Sequence, residues 1–211
     1  MILNNIATLV KQPPILEGKV SDNCLAQVQN YCNQLIINED IQTTKAYNLA
    51  GNIKHQYLYN NTENELLDII EQTAYHYHKL IGNKFQQLWI DDLWVNFQSK
   101  YEYIPPHSHG GYLTFVFYVK VPYDLEIERL HSPRPNASIN NPGDLYFHLY
   151  DLLGNLMLVP YNVSKDHEGK FILFDSKIMH GVFPFYHSND YRIVIIGNIY
   201  TVETTSKSIL Y

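Results

Sequence analysis

Between Asp22 and Ile37 the apolar residues Cys24, Leu25, Val28, Tyr31, Cys32, Leu35 and Ile36 recur at three- and four-residue intervals, which gathers them on one face of a helix. Ser21 stands where an N-cap hydroxyl is useful. A second stripe of Leu66, Leu67, Ile70, Ala74, Tyr77 and Ile81 predicts a helix over about 63–81, with Thr62 and Glu65 as a capping box and Gly82 just past its end. From Leu88 onward the pattern changes to short apolar or alternating runs. These predict strands over 88–97, 112–121, 144–150, 155–160, 170–174 and 191–200, with a shorter one at 181–185. Gly, Pro, Asn and Asp separate the runs at the spacing of an all-β sandwich, and Asp151-Leu-Leu-Gly154 suits a hairpin turn. No flexible linker divides helices from strands. The chain therefore reads as one domain over 1–211, mostly β with N-terminal helices: 1–87 a helical support region and 88–200 the sheet core.

Composition narrows this picture without changing it. A chain of 211 residues can bury one sizeable core, and 45% hydrophobic against 17% charged residues argues against disorder. The 18 tyrosines favour sheet. A net charge of −6 with no Lys/Arg run speaks against nucleic acid as a main partner. Cys24 and Cys32 lie eight residues apart on one helix, which separates them by more than about 10 Å along its axis, too far for a disulfide. Reduced buried thiols fit a cytoplasmic protein. The first eleven residues have no basic stretch leading into an apolar run, and no segment approaches the roughly 18 apolar residues of a membrane span. No membrane partner is expected.

Of the ten histidines, three carry chemical information. His107 and His109 lie in Pro105-Pro-His-Ser-His-Gly-Gly111, directly before the strand 112–121. In an extended chain residues two apart share a face, about 7 Å from one another, close enough for both to turn onto one ion. The two prolines hold the approach extended. Imidazole suits Fe, Zn, Cu or Ni, so the ligands alone do not choose the metal. His180 follows a loop and begins the short strand, and twelve residues later Arg192 opens an apolar strand where a guanidinium has no solvent-side use but would suit a carboxylate. His76 and His78 lie two apart on a helix, face different ways, and read as structural.

The ordered set Trp94-Val-Asn-Phe97, Pro106-His-Ser-His-Gly110, Phe115-Val-Phe-Tyr-Val119 and Phe174…His180-Gly-Val-Phe-Pro-Phe185…Arg192…Asn198 resembles the Fe(II)/2-oxoglutarate-dependent oxygenases, in particular a group found in bacteria and tailed phages. The resemblance covers about 93–199. It implies a double-stranded β-helix (jelly-roll, cupin-like) core and a dioxygenase that hydroxylates a protein side chain or a small metabolite. Fe(II), 2-oxoglutarate and O2 would be its cofactors, in the cytoplasm of a bacterium or a phage-infected cell. Carried over by position, it implies His107 and His180 as metal ligands, Arg192 and Tyr118 as contacts to 2-oxoglutarate, and Asn96 as a further contact.

One position departs from the pattern: His109 stands where most relatives have a carboxylate. Three readings remain open from the sequence. The metal site is His107, His109 and His180; or a carboxylate such as Asp144, Glu126 or Glu128 replaces His109; or the slot is empty, as in iron halogenases. A three-histidine zinc enzyme and a non-catalytic jelly-roll binding module are the competing functions. The loops at 125–141 and 161–169 are expected to form the rim of the site, and oligomeric state is open, a homodimer included.

Overall fold

The computed structural model describes residues 13–37, 50–61, 65–82 and 87–201. The Thr62 side of the capping box and the first eleven residues lie outside them. Among the described residues, ten strands form two antiparallel sheets. The larger has six strands: β1 (Leu16–Lys19), β8 (Lys170–Asp175), β5 (Leu113–Lys120), β10 (Arg192–Thr201), β3 (Leu88–Gln98) and β2 (His55–Leu58), in that spatial order. The smaller orders β4 (Ile104–His107), β9 (His180–Val182), β6 (Leu145–Tyr150) and β7 (Leu156–Tyr161). This is the jelly-roll layout expected.

Two apolar cores explain why the central strands read as unbroken hydrophobic runs. On β5, Leu113, Phe115, Phe117 and Val119 face the helices, while Val116 and Tyr118 face the space between the sheets. On β10, Ile193, Ile195 and Ile199 point one way and Val194 and Ile196 the other. The first core is closed by α1 (Asp22–Ile37) and α2 (Glu65–Ile81), whose stripes bury Cys24, Val28, Cys32 and Leu35 and Leu66, Ile70, Ala74 and Tyr77. Both cysteines are buried free thiols, and burial pushes the Cys32 thiol up to about 12. His78 is buried with its Nδ1 2.8 Å from the Tyr112 hydroxyl, consistent with a structural role.

The front of the chain is not only helical. β1 and β2 add edge strands to opposite sides of the larger sheet, pairing with β8 and β3. The stretch expected as a rim loop over 125–141 opens with a short helix, α3 (Leu125–His131), capped by Asp124, whose carboxylate accepts the Glu126 and Ile127 N–H groups. The second rim segment contains a 3₁₀ turn, Lys165–His167. The turn at Asp151–Gly154 forms as expected: the Asp151 carboxylate accepts the Leu153 and Asn155 N–H groups, and Gly154 adopts a φ of 84°, open to glycine without strain. Among the described residues no helix is long and apolar enough to cross a membrane.

Strands β4, β9 and β6 approach so closely that Gly181 has no room for a side chain. A Cβ there would stand 2.8 Å from the Ile104 carbonyl oxygen and run into the Tyr146 hydroxyl. Gly181→Ala is expected to destabilise the protein by about 1–3 kcal/mol, as overpacking against backbone does. A thermal melt unchanged from wild type would contradict this.

Candidate active site

His107 ends β4 and His180 begins β9, and the two are direct partners across the β4–β9 pairing. Strand pairing alone therefore sets their side chains next to each other. The His107 Nδ1 lies 2.9 Å from the Pro105 carbonyl, and the His180 Nδ1 2.9 Å from the Ile178 carbonyl. A carbonyl oxygen only accepts, so in each ring Nδ1 carries the proton and Nε2 keeps its lone pair for a ligand. His109 reaches the same point from the loop after β4. Its backbone N–H donates to the Ser176 carbonyl at 2.9 Å, and the Lys177 ammonium donates to its carbonyl at 3.1 Å. Its Nε2 lies 3.3 Å from that of His180, and its ring leans on Trp94 with centroids 5.8 Å apart.

The three imidazoles each offer one nitrogen, all within 4.8 Å of one another, which makes a site able to hold a metal ion. Burial, with the other histidines nearby, pulls His109 down to about 4 and His180 to about 3; burial also lowers His107. All three are thus neutral at pH 7, the form that ligates.

No carboxylate joins this group among the described residues. Glu126 is exposed and pairs with Arg129 at 2.6 Å. Glu128 is fully buried on α3 and accepts the backbone N–H groups of Tyr186, His187 and Ser188. Asp144 is also fully buried and accepts the Val163 N–H.

A cavity of about 230 Å³ opens from the histidines into the space between the sheets. Arg192, Tyr118 and Asn96 line it beside His107, His109 and His180, so all six residues singled out in the sequence meet at one place. Arg192 is only 2% exposed. Its guanidinium donates to the Gly143 carbonyl and to the Tyr123 hydroxyl, while its Nε has no partner. The Tyr118 hydroxyl is likewise buried without a partner, and burial raises its pKa, so it remains an O–H donor. Asn96 is buried on β3 and accepts from Gln56 at 2.9 Å.

Gln56 and Trp94 line the cavity too, and neither is singled out by a local sequence signal. Gln56 arrives because β2 pairs with β3 in a register that sets it opposite Asn96. Nothing local to His55-Gln-Tyr-Leu58 signals that position. Trp94 lay within the resemblance, but its place beside His109 depends on how the later loop folds back.

Over residues 92–198, just over half of the chain, the sequence matches the family described as "Putative 2OG-Fe(II) oxygenase". No curated protein sequence matches it. Solved structures of similar fold include a prolyl-4-hydroxylase of Pseudomonas putida, at 12% identity over 89% of this chain and 92% of that one, with a TM-score of 0.59. A prolyl hydroxylase from Trichoplax adhaerens, solved with a peptide fragment of the hypoxia inducible factor oxygen degradation domain, is similar at 12% identity over 93% and 87%, with a TM-score of 0.55. The viral collagen prolyl hydroxylase of Paramecium bursaria Chlorella virus-1, solved as a 2OG complex, aligns at 15% identity over 89% and 96%, with a TM-score of 0.53. At such identities the likeness carries the fold, and the sequence match carries the family: the protein belongs to the 2OG-Fe(II) oxygenases, enzymes that use Fe(II) and 2-oxoglutarate.

Proposed function

We propose that this single domain is a dioxygenase in which His107, His109 and His180 together hold Fe(II), and Arg192 with Tyr118 takes the distal carboxylate of 2-oxoglutarate. The observation that carries the reading is the meeting of three neutral imidazoles with a buried, incompletely bonded guanidinium in one cavity. Both halves fit their ligands chemically. Three imidazoles suit a divalent iron, and the partnerless Arg192 Nε and Tyr118 O–H are donors for a carboxylate. The inward position of His109 favours it over Asp144, Glu126 or Glu128 as third ligand, and over an empty slot.

When bound, Fe(II) supplies the redox chemistry by which O2 decarboxylates 2-oxoglutarate to succinate and CO2 while a substrate C–H becomes C–OH. The protein's own part is placement. The Pro105 and Ile178 carbonyls fix the proton of two rings and aim their Nε2 atoms inward. Three neutral imidazoles would hold the ion without offsetting its charge, which would suit the site to a dianionic cosubstrate. Arg192 and Tyr118 orient that dianion from the far side, and Val116, Val194 and Ile196 line the cavity with apolar surface that excludes water. Asn96 and Gln56 supply amides on the wall where a substrate would lie. The substrate is a protein side chain or a small metabolite; the prolyl hydroxylase neighbours support the former.

The test is succinate release from 2-oxoglutarate with Fe(II) and ascorbate. Arg192→Met is expected to retain metal but to bind 2-oxoglutarate about 30-fold or more weakly, as removal of one partner of a buried charge pair does. Unchanged binding in that variant would remove Arg192 from the assignment. Turnover that needs Zn and ignores 2-oxoglutarate would overturn the reading as a whole.

A further inference from the structure

Asn198 closes the set of motifs read from the sequence, yet it does not line the cavity. It is buried on β10, paired with Thr114 of β5, two residues past the cavity-lining Ile196. Its Oδ1 accepts the Thr114 hydroxyl at 3.0 Å. With that proton committed, the Thr114 oxygen accepts the hydroxyl of Ser176 at 2.8 Å. Thr114 and Ser176 are both fully buried, and a buried hydroxyl without a partner is costly, so neither bond is readily given up. The three side chains thereby fix one another across β10, β5 and the turn after β8.

Ser176 passes this constraint to the loop that carries His109. Its carbonyl accepts the His109 N–H at 2.9 Å, and its own N–H donates to the Tyr112 carbonyl at 3.1 Å, so one residue holds both ends of the loop. The Tyr112 N–H donates in turn to the carbonyl of Ile199, the residue after Asn198, at 2.8 Å. Between these ties Gly111 lies directly against the cluster. A Cβ there would stand 3.0 Å from the Ile199 carbonyl oxygen, 3.2 Å from the Asn198 Cβ and 3.4 Å from the Ser176 Oγ, so glycine is what lets the loop come this close. His109 needs such support more than its fellow ligands do. Carbonyls fix the rings of His107 and His180. No carbonyl fixes the His109 ring among the described residues, and its place is set by its backbone and by Trp94.

We propose that Ser176, Thr114 and Asn198 form a buried hydrogen-bonded chain that positions His109 as the third metal ligand. The inference rests on the assignment of His109 above. None of the three lines the cavity or belongs to the ligand group, so they are positioning residues that act through the Ser176 backbone. A metal ligand is only as well placed as the groups that hold it, and the supporting partners of a ligand ring are usually its own hydrogen-bond acceptors. Here the support is one step removed: side chains on two strands lock a turn, and the turn locks the loop. Breaking the chain frees that loop and loosens the 3.3 Å approach of the His109 Nε2 to that of His180.

The experiment is titration of the metal-free protein with Co(II), followed by its visible bands, whose position and intensity report ligand number and geometry. Thr114→Val keeps the branched shape and removes the hydroxyl. It is expected to bind Co(II) about tenfold more weakly than wild type, the scale of losing one supporting group behind a ligand, and to show altered bands. Thr114→Ser restores the hydroxyl and should return both affinity and bands toward wild type. In a His109→Ala background Thr114→Val should cost nothing further, because a chain that works through His109 then has nothing left to place. A residue that merely supports the fold would weaken Co(II) binding by the same factor with or without His109. Such additive losses would overturn the proposal and leave the three-histidine site standing, as would wild-type affinity and bands in Thr114→Val. Wild-type protein that holds no Co(II), or a His109→Ala change that leaves affinity and bands untouched, would overturn both this inference and the place of His109 in the site. Should Thr114→Val not fold, Ser176→Ala, which keeps both backbone bonds of that residue, takes its place in the same cycle with the same outcomes.

Discussion

His180→Ala is expected to abolish stoichiometric metal binding, and with it all succinate release, whereas His109→Ala is expected to weaken binding and leave it measurable. The difference follows from how each ring is held. His180 is only 3% exposed, its Nδ1 proton is tied to the Ile178 carbonyl, and its strand neighbour is His107. Removing that ring takes away the ligand that both the strand pairing and the Ile178 carbonyl hold in place. The His109 ring is less enclosed and is carried on a loop, and no carbonyl fixes its Nδ1 among the described residues. Water can substitute there, so a loss of about 10–100-fold in affinity is the expected scale, that of disturbing one supporting element of a metal site. Metal-to-protein ratios after desalting, with Mn(II) titrations followed by thermal shift, check both. A His180→Ala protein that kept one tightly held ion would refute the assignment, and equal losses in the two variants would refute the ranking.

Glu128→Ala is expected to cost about 3–5 kcal/mol of stability, the scale of breaking a buried charged network. Helix α3 leaves Ile127 and Leu130 exposed, yet the residue it sends inward is an acid. The Glu128 carboxylate accepts from Tyr186 N at 2.6 Å, His187 N at 2.9 Å and Ser188 N at 3.0 Å. These three amides belong to the segment between β9 and β10, which joins His180 to Arg192. Alanine would leave all three without an acceptor, and each orphaned buried amide costs about 1–3 kcal/mol. Glu128→Gln keeps the shape but turns one acceptor into a donor facing donors, so it should fall between alanine and wild type. Urea unfolding measures the cost. Since whole domains are stable by only about 5–15 kcal/mol, the alanine variant should be marginal at 37 °C. A loss below about 1 kcal/mol would mean that the loop finds other acceptors.

The parts legible in the sequence are those whose physics is local. Helix α1 was readable to its ends because Cys24, Val28, Cys32 and Leu35 repeat with the helical period and are the residues buried. Strands β5 and β10 were readable because both faces are apolar. The missed elements draw their stability from partners. β1 and β2 are four-residue strands at sheet edges, with the charged and polar residues Glu17, Lys19, His55 and Gln56, and only pairing with β8 and β3 makes them strands. α3 is about two turns long, exposes Ile127 and Leu130 and buries a glutamate, the reverse of the pattern by which helices are recognised.

The site followed the same rule. His107, His109, His180 and Arg192 stand out by their sequence context, Tyr118 and Asn96 through the family resemblance, and all six line one cavity. Gln56 depended on a strand register. Glu128 and Asp144 were considered as ligands because they are acids near the histidines in sequence order. Their actual partners, three loop amides for one and the Val163 amide for the other, lie on segments that no local pattern connects to them.

The β4 strand, which ends in His107, is built in an unusual way. Two of its four residues are prolines, and it pairs with β9 only at its first and last positions, Ile104 with Val182 and His107 with His180. Proline offers no N–H, so this edge of the smaller sheet is fastened by fewer rungs than any ordinary strand of its length. Parting the seam beside the histidines therefore sacrifices less backbone bonding than opening the sheets anywhere along β5 or β10. The sparse bonding of this seam is thus a property of the covalent chain itself, fixed by Pro105 and Pro106 before any ligand is considered.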